Sequence, residues 1–83
     1  MKVLYFARIR QIVGRSSDDI QPPESVKTVS ALIDYLAARD PGCAAAFADR
    51  RTLKAAVNKS HVSLDAPLGG ADEVAFFPPV TGG

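Results

Sequence analysis

Hydrophobic and polar positions alternate from the first residues of the chain. Over residues 2 to 7, Val3, Tyr5 and Ala7 fall on one side, and Lys2, Leu4 and Phe6 on the other. That two-residue period, in a run rich in β-branched and aromatic types, predicts a strand. The period then changes. Ile9, Ile12 and Val13 recur at helical spacing, and Gly14 is placed to stop the turn. Arg15 to Asp19 is polar, with a short second strand expected between Ser17 and Gln21. Pro22-Pro23 restricts that segment to a sheet edge or a loop.

Thr28 is a good N-cap, and Val29, Leu32, Ile33 and Leu36 follow at helical spacing. This predicts a helix from Val29 to about Arg39 that stops before Pro41-Gly42. Ala44 to Ala48 is expected to form a second, short helix anchored by Phe47. Leu53 to Val57 reads as a strand, with Leu53, Ala55 and Val57 inward and Lys54 and Ala56 outward. Asn58-Lys59-Ser60 is turn material, and His61 to Leu64 returns with Val62 and Leu64 inward, completing a hairpin. A loop over residues 67 to 72 leads into a last strand, Glu73 to Phe77. There Val74 and Phe76 face one way, Ala75 and Phe77 the other. The order of elements predicts an α+β roll, a mixed sheet of four to five strands packed on one main helix.

Composition narrows the setting. Eighty-three residues hold one core, and 47% apolar with 23% charged residues is an ordinary globular balance. A net charge of +1 gives no reason to expect nucleic acid or an anionic membrane as partner. Cys43 is the only cysteine, which rules out an intrachain disulfide and favours a reducing cytoplasm. No apolar run reaches the length of a membrane span, and the start is charged too soon for a signal peptide. His61 and Cys43 lie far apart in sequence, so no metal site is expected. No acid–base set is evident, and the isolated chain is expected to catalyse nothing.

The candidate chemistry lies at the last residues. Gly82-Gly83 carries no side chain, so its only chemistry is a carboxylate, and glycine backbone can thread a narrow channel. Pro78 and Pro79 stiffen the approach. Residues 78 to 83 extended reach about 20 Å, enough to enter another protein's pocket. The chain thus divides into a domain over residues 1–77 and a flexible Gly-Gly tail over residues 78–83.

Three motifs carry a resemblance: Phe6-Ala7 followed by Arg10 and Gly14, then Ala55-Ala56-Val57-Asn58, and above all Asp72-Glu73-Val74-Ala75-Phe76-Phe77-Pro78-Pro79-Val80-Thr81-Gly82-Gly83. With them, almost the whole chain resembles the β-grasp, ubiquitin-like sulfur carriers, and within these the small subunits of molybdopterin synthase (molybdopterin-converting factor subunit 1). The resemblance implies that Gly83 is adenylated by an activating enzyme using ATP and Mg, then converted to a thiocarboxylate, with Gly82 as the permissive approach residue. The tail then enters a pocket of the large synthase subunit. There the sulfur passes to the pterin precursor, cyclic pyranopterin monophosphate, to build the molybdopterin dithiolene of the molybdenum cofactor. No cofactor is bound by the carrier itself, and sulfurtransferase activity belongs to the complex. Two alternatives stay open: a carrier for thiamine, cysteine or transfer-RNA thiolation, and a ubiquitin-like binding module.

The resemblance also implies that the first and last strands are parallel neighbours at the sheet centre. Leu4, Phe6, Ala75 and Phe77 then point away from the helix, an apolar group on an open face that suggests an interface. The expected partner-binding residues are Leu4, Phe6, Arg10, His61, Phe77, Pro78, Pro79, Val80 and Thr81. His61 points outward where the resemblance implies an apolar residue. It reads as a solvated turn residue, or as a source of pH-dependent partner affinity. Arg8, Arg10 and Arg15 cluster in sequence and could meet an acidic patch on a partner, Arg10 foremost because it sits in the motif. Cys43 is expected to be a small buried residue, Lys54 and Lys59 exposed, and Asp72 and Glu73 to shape the loop before the last strand.

Overall fold

The computed structural model describes residues 1–79. Five strands form one mixed sheet: β1 (Lys2–Tyr5), β2 (Ser17–Asp19), β3 (Lys54–Val57), β4 (Ser60–Val62) and β5 (Glu73–Phe77), in the spatial order β2-β1-β5-β3-β4. The central pair β1 and β5 is parallel, and every other pairing is antiparallel. Three α-helices accompany the sheet: α1 (Ala7–Val13), α2 (Val29–Arg39) and α3 (Pro41–Ala46). A short 3-10 turn over Arg50–Thr52 leads into β3. This is the β-grasp arrangement, with α2 as its main helix.

The helix α2 forms where its spacing predicts. The Thr28 side chain accepts a hydrogen bond from the Ala31 backbone N–H at 3.1 Å, a cap worth about 1 kcal/mol. Its stripe of Val29, Leu32, Ile33 and Leu36 is buried. It shares one core with the sheet's inner residues Val3, Tyr5, Ala55, Val74 and Phe76, with Ile9 and Val13 of α1, and with Cys43 and Phe47. Phe47 packs its ring 4.9 Å from Phe76 and 6.5 Å from Tyr5. Each such large side chain contributes about 1.5–3 kcal/mol by leaving water.

Several boundaries differ from the expectation, among them the end of the hairpin's second strand, which stops at Val62 and not at Leu64. The first strand ends at Tyr5, and Ala7 is exposed rather than inward. Ala7 has φ 51°, a left-handed turn that breaks the alternation and starts α1. Of the α1 apolar residues, Ile9 and Val13 are buried while Ile12 is exposed. The second short helix begins at Pro41, not Ala44, because Asp40 caps it through the Gly42 N–H at 3.2 Å and Pro41 suits a first helical position. Phe47 follows that helix and is buried. The hairpin turn is Asn58-Lys59 alone, both at positive φ, so Ser60 already pairs with Val57. The Asn58 side-chain oxygen accepts from the N–H groups of Asp72 and Glu73, both at 3.1 Å, and so fixes the entry to β5.

Candidate functional site

The register sorts the open face of the sheet into rows. Paired residues point to the same side, so Leu4 of β1, Ala75 of β5, Ala56 of β3 and His61 of β4 form one continuous row across the sheet. Towards the start of β5 the neighbouring row is charged: Asp19, Lys2 and Glu73. Towards its end lie Phe77, paired with Lys54, and Phe6. The apolar band therefore occupies the end of the sheet from which the chain leaves β5.

Leu4, Phe6, Ala56, Lys59, His61, Glu73, Ala75 and Phe77 line a shallow depression of about 520 Å³. Ala56 and Ala75 are its floor, almost fully covered although they lie on the outer face. The small Ala56 side chain leaves room above β3, and the rings of Phe77 and His61 meet there with centroids 5.0 Å apart at 46°. Phe6 is 47% exposed, unusual for a residue of its size, and its backbone N–H donates to the Phe76 carbonyl at 3.0 Å. Phe6 is thus tied to the central strand while its ring faces solvent.

Of the expected docking residues, Leu4, Phe6, His61 and Phe77 are brought together. Pro78 and Pro79 are half-buried and follow directly on β5. Arg10 is exposed on α1 and does not line the depression. Val80, Thr81, Gly82 and Gly83 lie outside the described residues. Lys59 and Glu73 also border the apolar band, beyond the expected docking residues; only their places, in the hairpin turn and at the start of β5, could have signalled it.

The expected arginine cluster is divided. Arg15 turns inward to Asp18 and Asp40, with N–O distances of 2.7 Å to each, while Arg8 reaches Thr52 at 3.5 Å. The Tyr5 hydroxyl donates to Asp18 at 2.8 Å, and the Cys43 thiol donates to Asp40 at 3.4 Å. This network joins β1, β2 and the junction of α2 and α3. The Arg15 guanidinium holds the Asp18 and Asp40 carboxyls below their usual range. Burial pushes the Cys43 thiol up and Tyr5 likewise. Cys43 is fully buried, and a thiol held protonated is a poor nucleophile, which argues against any sulfur-relay role. Among the described residues no group of three or more His, Cys, Asp and Glu is placed to hold a metal ion, and no helix is long and apolar enough to cross a membrane.

Comparison with known proteins covers almost the whole sequence. Residues 3–83 match the model of the ThiS family. The chain is 47% identical over 83 residues to the molybdopterin synthase sulfur carrier subunit of Escherichia coli (strain K12), covering 100% of this chain and 99% of that one. A Pyrococcus furiosus protein provisionally described as molybdopterin converting factor, subunit 1, superposes with a TM-score of 0.72 at 35% identity, covering 95% of each chain. SAMP1 from Haloferax volcanii shares the fold, with a TM-score of 0.73 at 24% identity over 100% of this chain and 98% of that one.

Proposed function

The chain belongs to the ThiS family, and from that premise we propose that it is the sulfur-carrier subunit of a molybdopterin synthase. The observation that carries this reading is the continuity between the apolar band of Leu4, Phe6, Ala75 and Phe77 and the strand that leads into Pro78-Pro79. A partner seated on that band receives the residues after Phe77 at its own edge. Full-length identity of 47% to a sulfur carrier supports the same assignment.

In this reading the large synthase subunit docks on the band, and an activating enzyme uses the same carrier at a separate step. The Gly83 carboxylate is ionised at neutral pH, and its carbon is a poor electrophile. Attack of that carboxylate on ATP, with loss of pyrophosphate, gives a mixed anhydride whose AMP is a good leaving group. Attack of a hydrosulfide-equivalent donor on the acyl carbon forms the C–S bond, releases AMP and a proton, and leaves the thiocarboxylate, a softer nucleophile than the carboxylate. Mg and ATP belong to the activating enzyme. The pterin precursor belongs to the large subunit's pocket, where the carrier supplies a tethered cosubstrate. Gly82 gives the tail its narrow profile, and residues 78–83 act as a tail on a domain of residues 1–77. We place these steps in the cytoplasm, where the single cysteine stays reduced.

The test is an intact mass measurement after incubation with the activating enzyme, ATP and a sulfur donor. Replacement of one terminal oxygen by sulfur is expected. An unchanged mass beside a demonstrably active partner enzyme would sink the carrier reading. Addition of the large subunit and the pterin precursor then identifies the destination: dithiolene formation supports molybdopterin synthesis, and a stable, unconsumed thiocarboxylate refutes it.

A further inference from the structure

The apolar band ends, on β4, in an ionisable ring. His61 is exposed, pairs in register with Ala56, and stacks at 5.0 Å on Phe77. The other charged groups facing this region are Lys59 in the hairpin turn, Lys54 on β3 beside Phe77, and Glu73 on β5. On β1 and β2 the row level with His61 carries only Leu4 and Ser17, and Lys2 and Asp19 lie in the row beyond. The ring therefore has an apolar floor, an aromatic neighbour, two ammonium groups and one carboxylate around it.

We infer that His61 restricts docking to its neutral form, so that acidification weakens the complex formed on this face. The inference rests on the docking reading proposed above and adds a residue that sets when docking occurs. Covering the band removes water from the imidazole. An imidazolium there loses its hydration; Glu73 and the Phe77 ring offset part of the loss, while Lys54 and Lys59 add repulsion. The neutral ring makes no such demand and keeps its contact with Phe77. Imidazole changes charge between pH 5 and 8, and His61 is the only histidine in the chain. If the complex accepts the neutral form alone, apparent affinity falls with the neutral fraction. Between about pH 8 and about pH 5.5 the expected loss of affinity is about tenfold.

The experiment is calorimetric titration of the intact chain with the large subunit across that range, for the wild type, His61→Leu and His61→Gln. The side chain is exposed, so both variants fold. The wild type is expected to bind about tenfold more weakly at the acid end, and both variants are expected to show a flat profile after common partner effects are subtracted. Equal pH slopes in all three proteins would overturn the inference, as would tighter wild-type binding in acid, which would mean a partner carboxylate meets the imidazolium. Absence of binding by all three at alkaline pH would overturn the docking reading itself, and the inference with it.

Discussion

Phe6 stands where a strand gives way to a helix. Its backbone is held by the Phe76 carbonyl, and its ring is 47% exposed beside Leu4 and Phe77. It occupies the N-cap position of α1 without making a side-chain cap. Truncating it therefore removes little from the folded domain and much from the band. Phe6→Ala is expected to change unfolding free energy by less than about 0.5 kcal/mol and to weaken binding of the large subunit by about 1–2 kcal/mol, roughly five- to thirtyfold. Ile12 is the internal control: it is 41% exposed on α1 and does not line the band, so Ile12→Ala should leave that affinity unchanged. Urea titration and calorimetry of both variants check the pair. Phe6, Leu4 and Phe77 were legible in the sequence because alternation places them on the outer face. The direction of Arg15 was not. Its two carboxylates lie 3 and 25 residues away, and no local pattern marks a pairing across elements.

At the scale of elements, Arg15 is the knot between β1, β2 and the α2–α3 junction. The hydrogen bonds from Arg15 are the largest cause of the lowered pKa at both Asp18 and Asp40, with partial burial opposing it at each. A carboxyl whose folded pKa lies below its unfolded value of about 4 stabilises the fold above that value, and the contribution is lost as pH falls through the lowered folded pKa. Arg15→Met should therefore be destabilised relative to wild type at neutral pH, and the difference should shrink in acid below about pH 4. Urea unfolding of both proteins over that range measures the gap, and a gap independent of pH would show that Arg15 acts through packing alone. Element identities were largely readable from the sequence: α2 with its Thr28 cap, the hairpin, and β5. Boundaries were less so. Ala7 breaks its strand by a backbone angle that no residue type announces, and α3 starts early because Pro41, read with Gly42 as a stop, is also a first helical residue capped by Asp40.

For the whole molecule, the core is complete by Phe76, and the rest of the chain adds nothing to it among the described residues. Removal of residues 80–83 is thus expected to leave the melting temperature within about 2 °C of the intact domain, and deletion of Gly83 alone is expected to abolish conversion to the thiocarboxylate. A scanning calorimetry trace beside the intact mass assay reads both. The central place of β5 has a consequence for biosynthesis. A chain halted before residue 73 lacks the strand that joins β1 to β3, and so has neither a closed sheet nor Ala75 and Phe77. Nascent or prematurely terminated fragments lack the central part of the proposed docking surface, because Ala75 and Phe77 are among the last residues of the band to be synthesised. On the docking reading proposed above, selection of that surface is also selection for length: a chain that presents the whole band has been translated at least through Phe77.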